Sequence, residues 1–358
     1  SKFLNSLLKN DINFFSGVPD SCLSGLIDEI IQNKKSEHVL APNEGSAVSV
    51  GIGFNLSTSK IPCVYFQNAG LGNATDPLTN LCSKYVYKIP MLILLGWRGR
   101  PGISDEPQHK MQAIALTKIL KQYKIDFTDI RNLNDLRLKK IIDTIKKKKT
   151  IFAILVDKNF FPKKKKEITK SKIFFSKNEI FSIIFKNISE KTKLITSTGY
   201  NSREALNHNS KLIKKFYLVG GMGHTLAVSY GISLKDKKNK IICIDGDGSF
   251  FMHLGSFAMI KKKLNKNFKY ILLDNGRHES VGNVKINFNL NIKDFAKNVG
   301  FSKYVLIDNK NKENIVLKYL EKYKGSAFIH IKTRVTKEDN LQRPKNLLNI
   351  KEEFLKNF

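Results

Sequence analysis

Two doubly wound α/β domains, each built on a largely parallel sheet, form the fold class this sequence predicts, and three observations carry it. Short apolar runs alternate with helix-periodic stretches through almost the whole chain. The alternation breaks once, over 158–172, where Pro162 and a lysine run read as an exposed linker. At 358 residues the chain is long enough for two domains of ordinary size. The expected division is a first domain over 1–160, a basic linker over 161–173 and a second domain over 174–358.

The elements follow from period and composition. In the first half, residues 1–10 pattern as a helix, 14–15 as a short strand, 22–33 as a helix and 38–40 as a strand. A helix over 47–57 leads to the apolar run Cys63-Val64-Tyr65-Phe66, read as a buried strand. Helix 73–87, strand 91–95, helix 112–120 and strand 151–156 complete this half. The second half resumes with helix 177–188, strand 194–196, helix 202–207 and strand 241–244. Helix 250–262, strand 270–273, helices 295–299 and 315–323 and strand 327–331 follow, and the tail 340–358 is expected to close with a short helix.

Composition narrows the function classes. Hydrophobic residues make up 41% of the chain, which supports packed cores rather than disorder. The net charge of +31 raises nucleic acid as a partner, but the lysines are spread along the whole length without zinc-finger spacing or an RNP-like aromatic run. Nucleic-acid binding is therefore the alternative from a different class, and no nucleic-acid partner is expected; the charge excess favours anionic substrates by steering. Cys22, Cys63, Cys82 and Cys243 are far apart among apolar residues, at intervals that fit neither zinc nor an iron–sulfur cluster. No run of about eighteen apolar residues is present and 1–10 lacks a signal-peptide core, so no membrane partner and a cytoplasmic location are expected.

The most informative segment is Asp245-Gly246-Asp247-Gly248-Ser249, which ends the run Ile241-Ile242-Cys243-Ile244. Asn275 likewise ends the run Tyr270-Ile271-Leu272-Leu273. Two neighbouring parallel strands would place Asp247 and Asn275 at their carboxyl ends, where α/β sheets bind ligands. A carboxylate and an amide oxygen suit a hard cation such as Mg²⁺ shared with a phosphate, and Gly248 and Ser249 open the next helix with N–H groups for that phosphate. Asp-Gly is also an ordinary turn pair, and a carboxylate after a strand is often only a helix cap. Asn275, one strand–helix–strand unit later, tips the balance toward a diphosphate–metal site.

Gly246-Asp247-Gly248-Ser249 followed by Asn275 resembles the motif of thiamine diphosphate enzymes. The resemblance implies that Asp247, the Asn275 side chain and the main-chain carbonyl of Arg277 bind Mg²⁺, with Gly246, Gly248 and Ser249 beside the thiamine diphosphate. It implies a pyrimidine-binding domain followed by a diphosphate-binding domain, without the third domain that many relatives insert. It implies a homodimer or higher homo-oligomer, with the cofactor between one chain's first domain and another's second. The compact order resembles the phosphonopyruvate decarboxylase subgroup, to which sulfopyruvate decarboxylases are related.

The same resemblance assigns residues in both halves. Glu44, in Pro42-Asn43-Glu44-Gly45-Ser46-Ala47, stands where the family carries its cofactor-activating glutamate. A carboxyl bonded to N1′ of the aminopyrimidine favours the imino tautomer that deprotonates thiazolium C2. Read only as a sequence, Asn43 capping a helix with Glu44 in its first turn is the competing explanation. Asp20, on the loop 16–21, and His109, in 104–109, match the aspartate and histidine that handle proton transfers. Gln67-Asn68-Ala69-Gly70-Leu71-Gly72-Asn73-Ala74 resembles a stretch of the phosphonopyruvate subgroup, with Asp76 departing from its usual Asn. Arg98, in Gly96-Trp97-Arg98-Gly99, is the leading substrate-binding guanidinium for a phosphonate. In the second half Gly220 and Met222 match the loop beneath the bent cofactor, Thr198 opens a further phosphate cradle, and His278 and Ser280 are expected to contact substrate. The implied reaction is decarboxylation of an anionic 2-oxoacid, 3-phosphonopyruvate, to phosphonoacetaldehyde and CO₂. Sulfopyruvate is the alternative substrate, and fusion of both domains into one chain favours the phosphonate.

Overall fold

The computed structural model describes residues 1–162, 174–260, 264–335 and 341–356. The basic linker expected over 161–173 lies, from 163 onward, outside them. The chain forms two compact units, Ser1–Lys165 with Ser280–Val284, and Lys166–Glu279 with Lys285–Phe358.

The first unit is a six-stranded parallel sheet of β1 (Phe14–Gly17), β2 (Glu37–Leu40), β3 (Cys63–Gln67), β4 (Met91–Gly96), β5 (Asp126–Asp129) and β6 (Ile151–Val156), in the order β2-β1-β3-β4-β6-β5. Its central strands are buried on both faces, which is why they read as unbroken apolar runs. Helices α1 (Lys2–Lys9), α2 (Ser24–Gln32) and α6 (Asp135–Lys148) send Leu7, Ile27 and Ile145 into one core with Phe15, Tyr65 and Leu94. Helix α3 (Glu44–Thr58) packs on β1 and β3. Asn43 caps it, its Oδ1 accepting the Ser46 N–H at 2.9 Å, so the helix begins at Glu44 rather than at residue 47 as expected. The helix expected over 73–87 is shorter: α4 (Leu71–Asp76) passes into a π-type turn over Pro77–Leu81 and stops. Pro77 has no N–H to continue the ladder, and Tyr85, Val86 and Tyr87 beyond it are exposed. Helix α5 (Lys110–Gln122) completes the unit.

An edge-strand histidine gives this unit a pH dependence. His38 Nε2 lies 2.6 Å from the buried Tyr65 hydroxyl, and burial pushes the imidazole down to about 4. The unfolded chain titrates at an ordinary 6.5. The unfolded state thus binds the extra proton first, and stability that is complete above pH 6.5 is lost as pH falls toward about 4. Between pH 7 and pH 5 the wild type should lose about 2 kcal/mol more than His38→Gln, read from urea midpoints. Parallel pH profiles for the two proteins would refute this assignment.

The second unit is also a six-stranded parallel sheet, of β7 (Thr192–Thr196), β8 (Ile213–Tyr217), β9 (Lys240–Gly246), β10 (Phe268–Asp274) and two further strands, Lys303–Ile307 and Ala327–Lys332. From one edge the order is Lys303–Ile307, Ala327–Lys332, β10, β9, β7, β8. Alternate side chains feed two separate cores: Ile242, Ile244, Ile271 and Leu273 face one, Ile241, Cys243, Tyr270 and Leu272 the other. Helix α7 (Lys177–Asn187), opened by a Ser176–Glu179 capping box, and α8 (Tyr200–Leu206) cover the first face. Helix α9 (Thr225–Lys235) and the aromatic side chains Phe250 and Phe257 cover the second, to which Phe328 of the sheet contributes. The helix expected over 250–262 starts earlier, as α10 (Asp247–Met252), and breaks at His253 before 3₁₀ turns over Leu254–Met259. Residues 261–262 of that expectation lie outside the described part. A closing helix spans Leu347–Leu355.

Candidate active site

In the first unit the candidate residues follow the carboxyl ends of β1 to β4, the end of an open α/β sheet at which ligands bind. Asp20, after β1, is wholly buried. Its Oδ1 accepts Gln67 Nε2 and its Oδ2 accepts the Cys22 N–H, both at 2.8 Å. It caps no helix, because α2 starts only at Ser24. Glu44, after β2, is buried as the first residue of α3, with Oε2 accepting Asn73 Nδ2 at 2.7 Å. Gly70, after β3, forms the floor under this carboxyl: a Cβ there would lie 2.3 Å from Glu44 Oε1. Asn73 and Gln67, the two side chains that hold the acids, were not singled out from the sequence, although both lie inside the segment 67–74.

Arg98, after β4, is placed differently from expectation. Its Nε and Nη2 fork onto Asp105 at 2.7 and 2.6 Å, Nη2 also reaches Glu106 at 3.1 Å, and Nη1 donates to Ser21 Oγ at 2.9 Å. Burial works to raise the Asp105 carboxyl, but the Arg98 and Gly99 hydrogen bonds overrule it and hold it at about 2. The guanidinium is therefore already engaged, bidentately with Asp105 of its own loop and through Nη1 with Ser21 after β1. His109 ends the 3₁₀ turn Pro107–His109 in the same loop. Burial, then the Arg98 charge, pushes its imidazole down to about 4, so it is neutral near pH 7. Asp20, Ser21, Arg98, Asp105 and His109 form one connected group, with Glu44, Gly70 and Asn73 forming another.

In the second unit the candidate residues again follow strand ends. Asp247 follows β9 and Asn275 follows β10, and these strands are parallel neighbours. Asp247 Oδ2 accepts the N–H groups of Asn275, Gly276 and Arg277 at 3.1, 2.6 and 3.2 Å, while Oδ1 accepts the Gly248 N–H at 2.8 Å. Burial and the nearby Asp274 charge raise the Asp247 carboxyl toward protonation. Asp245, the other acid of the segment, turns inward and accepts the Tyr270 hydroxyl at 3.0 Å. Ser249 Oγ accepts the Gly223 N–H at 3.0 Å, and Thr198 Oγ1 accepts the Gly220 N–H at 3.3 Å, so the loop carrying half-buried Met222 is tied to two strand ends. His278 is buried against Gly248, where a Cβ would lie 2.5 Å from Nδ1. One side of the ring packs on the Gly248 backbone, and its Nε2 is buried without a hydrogen-bond partner among the described residues. Ser280 is exposed and groups with the first unit.

Residues 2–119 match the family described as thiamine pyrophosphate enzyme, N-terminal TPP binding domain, and residues 197–331 match its C-terminal TPP binding domain. The chain belongs to the thiamine pyrophosphate enzymes. This thiamine pyrophosphate enzyme is 26% identical to a phosphonopyruvate decarboxylase of Streptomyces viridochromogenes over 92% of this chain and 87% of that protein. It is 24% identical to a sulfopyruvate decarboxylase of Methanosarcina acetivorans over 100% of this chain and 96% of that protein. A sulfopyruvate decarboxylase subunit beta of Methanocaldococcus jannaschii is 34% identical over 34% of this chain and 65% of its own length.

The residues present in this thiamine pyrophosphate enzyme fit a metal–diphosphate group. Asp247 and the Asn275 amide oxygen offer hard donors to a hard cation. A buried carboxylate raised by a second carboxylate is a group whose charged form a cation would stabilise. All four cysteines are buried free thiols, and among the described residues no helix is long and apolar enough to cross a membrane.

Proposed function

We propose that this thiamine pyrophosphate enzyme is a Mg²⁺-dependent 2-oxoacid carboxy-lyase that converts 3-phosphonopyruvate to phosphonoacetaldehyde and CO₂. The observation that supports it furthest is the likeness to a phosphonopyruvate decarboxylase across 92% of the chain. Bound thiamine diphosphate supplies the carbanion and the electron sink that decarboxylation needs. Asp247, Asn275 and the Arg277 carbonyl hold Mg²⁺, and Gly246, Gly248, Ser249, Thr198, Gly220 and Met222 seat the cofactor. Glu44 presents its buried carboxyl to the aminopyrimidine, held in place by Asn73. Asp20 and neutral His109 carry protons. Arg98 acts through Asp105, holding the loop on which His109 stands, and meets a substrate anion only by exchanging that carboxylate. The working unit is a homodimer or larger homo-oligomer.

Sulfopyruvate is the second reading, and a specific observation favours it. The Methanosarcina sulfopyruvate decarboxylase matches the chain end to end, so the single-chain form does not separate the two substrates. A decarboxylation assay with phosphonopyruvate, sulfopyruvate and pyruvate at matched concentrations decides between them. The expected result is a kcat/KM for phosphonopyruvate at least about 10-fold above sulfopyruvate, with pyruvate lower still because it lacks the second anionic group and forfeits the binding energy that group supplies. A higher value for sulfopyruvate would transfer the assignment. No CO₂ from any of the three would end it.

A further inference from the structure

Lys177, the first residue of α7, is buried, and its ammonium pairs with Glu279. The two side chains are only 7% and 10% exposed. Glu279 Oε2 also accepts Asn275 Nδ2 at 3.0 Å, while Asn275 Oδ1 accepts the Arg277 N–H at 2.9 Å. The two ends of an asparagine amide have nearly the same shape, but only the oxygen can ligate a hard cation. A carboxylate paired with an ammonium accepts hydrogen bonds and donates none. Facing Glu279, the amide must therefore present its NH₂, which leaves the oxygen on the Arg277 N–H, a donor that Asp247 Oδ2 shares. Withdrawing an ammonium and a carboxylate from water is costly, and apolar residues of like volume often serve stability as well. This pair sits one hydrogen bond from Asn275, and there its charge has directional consequences.

We propose that Lys177 and Glu279 are positioning residues that fix the Asn275 amide with its oxygen toward the Mg²⁺ site. The inference rests on the Mg²⁺–thiamine diphosphate reading and assigns two residues that the motif itself does not include. Partners of this kind, one bond behind a ligand, typically govern metal affinity by 10–100-fold.

The test is calorimetric titration of Mg²⁺ into the full chain at saturating thiamine diphosphate, with a thermal melt of each cofactor-free protein. Lys177 and Asn275 both donate to Glu279 Oε2, so in Glu279→Gln alone the ammonium still holds an oxygen toward the amide, and Mg²⁺ affinity should stay within a few-fold of wild type. The double variant Lys177→Met with Glu279→Gln buries no unpaired charge and keeps the volume, but its Gln can donate as well as accept and no longer dictates the amide orientation, so it should weaken Mg²⁺ by about 10–100-fold. Lys177→Arg preserves the pairing and should stay within a few-fold of wild type. A double variant with wild-type Mg²⁺ affinity overturns the proposal, since a merely structural ion pair predicts that recovery. If the wild type itself takes up no Mg²⁺ with thiamine diphosphate, the cofactor reading falls and the inference falls with it. Wild-type uptake with an unchanged double variant removes the inference alone.

Discussion

Glu44→Gln should lower kcat by about 10²–10⁴-fold, the range of a lost acid–base group, while thiamine diphosphate and Mg²⁺ still bind within a few-fold of wild type. The substitution keeps the volume of a buried side chain and keeps an oxygen to accept Asn73 Nδ2. It removes only the ionisable carboxyl at the start of α3. Turnover and cofactor affinity therefore separate, the pattern of a group acting in the transition state. Gly70→Ala is the matching steric probe. Its Cβ would lie 2.3 Å from Glu44 Oε1, closer than real contacts allow, so the carboxyl must move although its chemistry is intact. Loss of kcat in both variants supports Glu44 as the activating acid. Unchanged turnover in Glu44→Gln would leave it as a first-turn helix acid and nothing more.

What was legible in the sequence follows from burial. The central strands β3, β4, β9 and β10 each carry an unbroken apolar run because both faces are covered, and each was recognisable as a strand. Within the two six-stranded sheets the strands missed are β5, β8 and Lys303–Ile307, and each lies at a sheet edge. Edge strands carry charge that discourages pairing with other chains. Ile213-Lys214-Lys215-Phe216-Tyr217 and Asp126-Phe127-Thr128-Asp129 are accordingly too polar to stand out. Helix α6 was hidden in the same way by its lysines.

The site divides along a different line. Asp247 and Asn275 were readable because each stands just beyond the end of an apolar run, so backbone topology alone brings them together. Side-chain partnerships across the chain leave no such trace. Asn73 meets Glu44 across 29 positions and Lys177 meets Glu279 across 102, and neither pairing has a period or a spacing. Arg98 shows the opposite hazard. Its guanidinium looked free for a ligand, yet Asp105, seven positions on, takes it bidentately. A nearby carboxylate closes a short loop at small entropic cost, which favours it over a distant anion.

Asp247→Asn should abolish the stabilisation of the protein by Mg²⁺–thiamine diphosphate while leaving a folded chain. In the cofactor-free protein Oδ2 accepts three backbone N–H groups and Oδ1 a fourth. An asparagine whose oxygen faces the three must turn its NH₂ toward the Gly248 N–H, leaving two donors opposed. That conflict costs about 1–3 kcal/mol. The same change removes a buried charge beside Asp274, which offsets part of the cost. With the metal and cofactor present the comparison reverses. At a cofactor concentration about 100-fold above Kd the wild type gains about 2.7 kcal/mol, a rise in Tm on the order of 4 °C for a chain of this length. The variant lacks the charged oxygen that a hard cation selects, so its Tm should not respond. The controls run in the other half of the chain: Glu44→Gln keeps the cofactor-dependent rise and loses turnover, whereas Asp247→Asn loses both. A variant at position 247 whose Tm still climbs with Mg²⁺ and thiamine diphosphate would show that the cation is held elsewhere.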